Sequence, residues 1–393
     1  MKAEGIKSIF AFTGNPIILS DPEYEIDWGD DDPGRFTVSY GGQQIFEGRM
    51  DAKLPRRVNV AEIADSVVDP IPETEGERTY RPICLEGQQE LFKRRLYAEF
   101  TLNGSESEFD CYVLPGGVSK QNFRTYLRHG EDSFSARFLN PKGNFFLTTR
   151  TSGWCIVMKE TEICPLYFVS SGHARIEVRS LPAGEMFPLG DVDLGIYALD
   201  LAAIRLAMFW DQGVIPGALD LYRDGELACR IVFERTAPAK EHYRVKFRNS
   251  LGVFDIIDVV GHARISAVSG SDDSENINRY DSEMDDFTHV RFREDSTQTV
   301  SIDSLCSKPH ELTLLLDMLG SDEVYLLDVA GAPLAVIPSV EELTRELRME
   351  SPVNYTLTLE VVEPDRFVGD NISDTDSHGR PRIFSDEFSK QFN

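Results

Sequence analysis

The chain has 393 residues, 41% of them apolar and 10% aromatic, and its 66 acidic against 40 basic side chains leave a formal charge of −26. Such an excess of negative charge excludes general affinity for a polyanion, so neither nucleic acid nor an anionic membrane surface is an expected partner. The longest apolar runs, Leu312–Leu316 and Val324–Leu327, fall far short of the roughly 20 residues that a membrane-spanning helix needs, so membrane insertion is not expected.

The first segment, MKAEGIKSIFAFTGNPIILSD, is broken by Gly14-Asn15-Pro16 and carries no small-residue cleavage site. It reads as the first strand of a fold, and the chain is expected to be made and folded in a cytoplasm. Ser8–Phe12, Ile17–Leu19, Arg35–Tyr40 and Gln44–Phe46 follow as short strands, the last two forming a hairpin around Gly41-Gly42. Val58–Val67 has a short helical pattern with Asn59 available as cap, ended by Asp69-Pro70-Ile71-Pro72. Glu90–Phe100 and Glu108–Leu114 flank an Asn103-Gly104 turn, a strong hairpin signal, and the cations Lys93-Arg94-Arg95 read as the solvated face of the first of these strands.

Phe145–Thr149, Cys155–Lys159, Leu166–Val169 and Ala174–Ser180 continue as strands between Gly and Pro signals, a spacing that predicts sandwiches rather than βαβ units. The Pro/Gly-rich stretch 181–190 reads as a domain boundary. Beyond it come the apolar segments Ala198–Trp210, Ala218–Tyr222 and Ala228–Phe233, with a turn at Asp224-Gly225. In Tyr243–Arg248 the apolar Tyr243, Val245 and Phe247 alternate with Arg244, Lys246 and Arg248, the pattern of an antiparallel strand with one face buried. After Asn249-Ser250-Leu251-Gly252, the run to Val260 is apolar except for Asp255 and Asp258, which predicts a strand covered on both faces or a bulge. Ser269–Asp286 reads as an exposed acidic loop. His310–Leu319 is a helix with Leu312, Leu315, Leu316 and Leu319 on one stripe and Gly320 as its stop, and strands return at Val324–Ala330, Leu334–Pro338 and Tyr355–Val362.

The expected fold is therefore mainly β: tandem antiparallel β-sandwich domains with a few short helices. Residues 1–180 form an N-terminal β-rich region, with a break near 70 that allows two small sandwiches. Residues 191–265 form a central β-sandwich, and 266–393 a C-terminal β-rich region with one helix and a polar tail holding Phe388 and Phe392.

No reaction is written in the motifs. Cys84, Cys111, Cys155, Cys164, Cys229 and Cys306 show neither metal-ligand nor disulfide spacing and read as buried thiols. The seven histidines form no H-x-H or H-E-x-x-H set, no G-x-S-x-G elbow occurs, and Ser170-Ser171-Gly172-His173 sets serine and histidine on a strand where neighbours point apart. Asp27, Asp30, Asp31 and Asp32 are the weak candidates for a metal, offering carboxylates to calcium, but their spacing is not that of an EF-hand, and Pro33-Gly34 makes a β-turn the simpler account. No other cofactor is expected. Trp28, Trp154 and Trp210 stand beside strand or turn residues and read as packing side chains.

Several phrases together resemble a family of virion proteins of bacteriophages and prophages of gut Bacteroidetes: Phe12–Ile17 (FTGNPI), Gly41–Gly48 (GGQQIFEG), Val113–Val118 (VLPGGV), Phe247–Asp255 (FRNSLGVFD), Leu312–Leu319 and the ending Arg382–Asn393. The resemblance runs in order through nearly the whole chain. It implies a non-enzymatic tandem-sandwich structural protein of the tail or adsorption apparatus, assembled in the host cytoplasm and carried on the virion, with other virion proteins and further copies of itself as partners. It supplies no catalytic residues. Arg244, Lys246 and Arg248, a cationic face in an acidic chain, are then the expected subunit contact. Two alternatives stand beside it: a glycan- or receptor-binding adhesin at a tail tip or bacterial surface, which requires an exposed aromatic platform for a host surface glycan, and a glycan depolymerase, which requires two converging carboxylates.

Overall fold

The computed structural model describes residues 2–4, 10–20, 34–50, 57–74, 76, 78–102, 105–121, 123–124, 145–152, 155–181, 184–236, 241–306, 308–327, 333–341, 343 and 352–362. The protein is mainly β, with short helices. Two units are distinguished, one of residues 1–266 and 299–362 and one of 267–298 and 363–393. Helices of the first unit include α1 (Ala61–Asp65), α2 (Gln88–Leu91), α3 (Leu201–Gln212) and α4 (Pro309–Leu319).

Local chemistry sets its tightest hairpins. Gly41 and Gly42 take φ of 56° and 84°, so Gly34–Tyr40 turns directly into Gln43–Met50 with Tyr40 opposite Gln43. Asp224 and Gly225, at φ 50° and 80°, do the same between Ala218–Arg223 and Glu226–Glu234. A two-residue turn with both φ positive matches the right-handed twist of the strands it joins. The Asn103-Gly104 turn itself lies outside the described residues, but Arg95–Leu102 and Ser105–Leu114 pair with Leu102 opposite Ser105.

At the centre is a four-stranded sheet, in the order Phe145–Phe146, Leu166–Ser170, Gly195–Leu199, Ile83–Glu86. Its two middle strands are buried at every position. Strand alternation distributes them between two cores. Leu166, Phe168, Tyr197 and Leu199 join one core with α3 and the six-stranded sheet that contains Ala174–Ser180 and Ala218–Arg223. Tyr167, Val169, Ile196 and Ala198 join the other with Phe10, Phe12, Leu114, Leu251 and Val253. A third core lies between α1 and the five-stranded sheet of Phe36, Val38, Leu96 and Ala98. The fourth packs α4 on a seven-stranded sheet, in the order Phe254–Val260, His242–Arg248, Val324–Leu326, Leu334–Val340, Val353–Val361, Asp286–Cys306, His262–Asp281.

Three loops interlock where the phrases FTGNPI, VLPGGV and FRNSLGVFD fall. The Gly14 N–H donates to the Gly116 carbonyl at 2.7 Å, and the Gly117 N–H donates to that of Ser250 at 2.6 Å. The Asn15 amide donates to the Val118 carbonyl and accepts from its N–H, at 2.8 and 2.9 Å. A Cβ on Gly116, whose φ is 83°, would stand 2.3 Å from the Ser250 oxygen, so glycine is what lets these backbones meet.

Several expectations are corrected. The stretch 181–190 is not a boundary: Ala174–Ser180 hydrogen-bonds to Met186–Val192 on one side and Ala218–Arg223 on the other within one sheet. Two strand pairs are parallel, Phe10–Phe12 with Tyr112–Leu114 and Cys155–Lys159 with Arg230–Glu234. The segment from Glu90 begins in α2 and a 3-10 turn, Phe92–Arg94, before its strand starts at Arg95. Arg94 is consequently 3% exposed and grips the Glu86 carboxylate at 2.5 and 2.6 Å and the carbonyls of Asp69 and Pro70. Ala198–Trp210 is strand and then α3, started by Asp200, whose carboxylate accepts from the Ala203 N–H, and stopped by Gly213 at φ 75°. On α4 the buried stripe is Leu312, Leu314, Leu315 and Met318, while Leu316 faces solvent.

In the second unit, the described residues are the later part of His262–Asp281 and the earlier part of Asp286–Cys306, paired strands joined through residues 282–285, where the Tyr280 hydroxyl donates to Asp285. The expected acidic loop is therefore mostly strand. Pairing of the two arms satisfies backbone N–H and C=O groups without requiring apolar side chains.

Candidate functional site

The strand Phe254–Val260 carries the two carboxylates that interrupt its apolar run, and the structure shows why they are tolerated: Asp255 and Asp258 are 4% and 2% exposed and each is held by named partners. A buried carboxylate is stable only when paired and hydrogen-bonded. Arg150 supplies the chief charge. Its Nε donates to Asp255 at 2.8 Å, its Nη1 to Glu162 at 2.8 Å, and its Nη2 to the Ile256 carbonyl. Asn249 donates to Asp255 at 2.8 Å while its own carbonyl accepts the Leu251 and Val253 N–H groups, shaping the turn that delivers the strand.

Asp258 is held through one oxygen only. Its Oδ2 takes His242 Nδ1 at 2.8 Å and the Thr161 hydroxyl, and its N–H donates to Glu162 Oε1 at 2.9 Å. Its Oδ1, buried, has no hydrogen-bond partner among the described residues.

Around these groups opens a cleft of about 410 Å³, within the usual range for small-ligand sites. Arg150, Glu162 and Asp258 belong to its lining with Ile257, Leu314, Tyr355 and Cys306, and Lys159, Glu234, Arg235, Lys308, His310 and Glu311 are among the other residues that line it. The charges pair across it, Lys159 with Glu311 at 3.2 Å and Lys308 with Glu234 at 2.5 Å. Burial alone would push the Glu162 carboxyl up, but Arg150 and Lys159 beside it, with the backbone N–H groups of Asp258 and Lys159, hold it below the usual glutamate range. Burial lowers the Lys159 ammonium, yet Glu162 and Glu311 outweigh it and raise the group. Burial pushes the Cys306 thiol up to about 11 and holds His310 below the ordinary histidine value. Cys306 is thus a poor nucleophile, and Glu162 is held as its anion.

The predicted cationic face is present and folded back on the chain. Lys246 Nζ meets Glu73 at 2.5 Å, Arg248 Nε meets Glu323 at 2.6 Å, and both cations lie 4.3 Å from the Phe254 ring centroid. Arg244 is half-buried opposite Asp258 in the pairing register. Lys246 and Arg248 therefore have acidic partners within the chain.

Trp210, read from sequence as a packing side chain, is instead 77% exposed. On α3 Leu206, one turn before it, is 54% exposed and shares its face, and past the helix end Val214 and Ile215 are 69% and 55% exposed. Asp27, Asp30, Asp31, Asp32, Trp28, Trp154, Phe388 and Phe392 lie outside the described residues. Among the described residues no group of three or more His, Cys, Asp and Glu side chains converges as a metal site, and no helix is long and apolar enough to cross a membrane. His173 is exposed and pairs with Asp193 at 3.0 Å, while the Ser170 hydroxyl donates to the Gly172 carbonyl, so the two form no nucleophile–base pair.

The cleft was hidden from sequence reasoning because Arg150, Glu162, Asp258 and Glu311 come from four separate elements. One signal was available: two aspartates inside an apolar strand covered on both faces must have buried partners. No protein-family model matches the chain, and no curated protein matches it.

Proposed function

We propose that this protein is a non-enzymatic structural component of a bacteriophage particle, in its tail or adsorption apparatus, that acts by assembling with other virion proteins or further copies of itself. The phage setting, with assembly in the host cytoplasm, rests on the sequence resemblance. The observation that carries the assembly role is the exposure of Leu206 and Trp210 on one face of α3, with Val214 and Ile215 exposed in the segment that follows it. Exposed apolar patches mark interaction surfaces, and tryptophan is enriched among residues that dominate interface energies. The charged cleft holds Arg150, Lys159, Glu162, Lys308 and Glu311 in ion pairs, which suits binding better than turnover.

The test is particle composition and oligomeric state. The protein should co-purify with intact particles, and Leu206→Asp/Trp210→Asp should block its incorporation while leaving the circular dichroism spectrum unchanged. A protein absent from purified particles, monomeric at every concentration and indifferent to this substitution defeats the proposal.

A second reading, glycan adhesion, is favoured by Trp210 itself, whose ring meets Phe209 edge-on at 5.5 Å and presents a free face. It requires a saturable glycan-array signal that Trp210→Ala removes.

A further inference from the structure

Val353–Val361 pairs with Asp286–Cys306 from Thr299 onward, so between Asp286 and Gln298 the latter strand has His262–Asp281 as its one strand neighbour among the described residues. A two-stranded ribbon of this kind is marginal in water by itself. Five successive residues, Arg264 to Val268, are exposed, and neighbours on a strand point to opposite faces, so neither face is covered there. Further along, the composition offers no face to pack: between Ser269 and Asn278, Ile277 is the sole large apolar residue. What the ribbon does offer is an edge. His262–Asp281 is the outermost strand of the seven-stranded sheet and 20 residues long, with no strand on its other side among the described residues. Alternate residues of a strand turn their N–H and C=O groups to that side, and proteins blunt such edges with proline, lysine or short length. This edge has neither proline nor lysine.

We propose that His262–Asp281 pairs edge to edge, antiparallel, with the same strand of a second copy of this chain, joining two ribbons into a four-stranded sheet about a two-fold axis. The inference rests on the assembly role proposed above and gives it a partner and a surface. Charge selects the second copy. A two-fold axis normal to the sheet keeps each residue on its own face, so it must set one residue opposite itself. With that residue Asn276, Arg279 of each chain stands opposite Asp273 of the other and Glu275 opposite Ile277, which gives two pairs of opposite charge and no like charges face to face. Moving the axis by one or two residues either way sets acid opposite acid: Glu275 against itself, Asp273 or Asp281, or Asp273 against Asp281. An unrelated strand carries no such built-in match.

Sedimentation velocity of the full chain is expected to show a concentration-dependent dimer. Asp273→Arg or Arg279→Asp alone sets two like-charged pairs and should weaken the dimer about tenfold at low salt, whereas an equimolar mixture of the two variants restores opposite charges at both positions and should recover it. Asn276→Cys, opposite its own copy, should give a covalent dimer on mild oxidation, while Ser274→Cys, whose two copies stand four residues apart in register, should give no more than the parent. The cross-link decides alone if either charge variant lacks the parent's circular dichroism spectrum. The inference is overturned by a chain that is monomeric at every concentration, by cross-linking of Asn276→Cys no greater than that of Ser274→Cys, or by a mixture of folded charge variants no more dimeric than each by itself. A cross-linked dimer that is absent from purified particles defeats the phage role and leaves the pairing standing, and incorporation into particles without the cross-link does the reverse.

Discussion

Replacing Arg150 with methionine removes the cation that, alone among the described residues, contacts both Glu162 and Asp255, at 2.8 Å each, in a setting where the arginine side chain is 2% exposed and each carboxylate 5%. Methionine fills the space but leaves two buried anions facing each other. The least costly escape is for one of them to take up a proton. From an ordinary glutamate value of ~4.3, with 1.36 kcal/mol per pH unit, that uptake costs about 4 kcal/mol at pH 7 and about 1 kcal/mol at pH 5. The first figure agrees with the roughly 3–5 kcal/mol found when one member of a buried pair is removed. The sign follows from Glu162. Its folded carboxyl is held low by Arg150, so the parent enjoys that stabilisation above the ordinary glutamate value and loses it as pH falls through the folded one. In the variant burial is no longer outweighed and the carboxyl rises, so the variant is penalised most at neutral pH and least in mild acid. Urea unfolding of parent and Arg150→Met at pH 7 and pH 5 measures the difference. Adding Glu162→Gln to the variant should restore much of the loss at pH 7 and little at pH 5. A penalty below about 1 kcal/mol at pH 7, or one that does not change with pH, would refute the view that this network is held by charge neutralisation.

Other substitutions separate local from tertiary causes. Gly225→Ala meets nothing within 4 Å and bears only the positive φ of 80°, so it should cost about 1–2 kcal/mol, whereas Gly116→Ala has φ 83° and also drives a methyl to 2.3 Å from the Ser250 carbonyl. The second should cost about 2–4 kcal/mol by urea midpoint, and equal costs for the two would show that the loop junction yields freely. Asp317 on α4 accepts from the Thr149 hydroxyl at 2.7 Å and the Ser250 N–H at 3.0 Å, but burial first, and the nearby Asp255 charge, raise its carboxyl above the usual aspartate range. A raised carboxyl binds its proton more tightly in the folded state, so stability falls as pH climbs from the ordinary aspartate value of ~3.9 through the folded one. Asp317→Asn should therefore gain relative to the parent between pH 4 and pH 7, and a constant difference across that range would count against the assignment.

The hairpins were legible because their determinants sit within a few residues. Gly41-Gly42 and Asp224-Gly225 take the positive φ values that two-residue turns demand, and Tyr243–Arg248 buries Val245 and Phe247 as its alternation requires. Helix α3 was legible in principle, through Asp200 and Gly213 at its ends, but its apolar content resembles that of the strands around it. Arg94 shows the opposite case. Nothing local distinguishes it from Lys93 and Arg95, and only the return of Glu86, Asp69 and Pro70 around it makes it a buried clamp.

The amino-acid sequence by itself determined a mainly β protein, its tight turns and the alternation of its half-buried strands, because those depend on backbone sterics and on periodicities of two residues. Tertiary structure alone decided that three distant loops would meet through Gly14, Gly116, Gly117 and Ser250, that Lys246 and Arg248 would meet Glu73 and Glu323, and that Arg150, Glu162 and Asp258 would share one cleft. Those outcomes depend on pairing between segments far apart in the chain. The strength of a charge pair is set by distance and by exclusion of water, and neither is written in the order of residues.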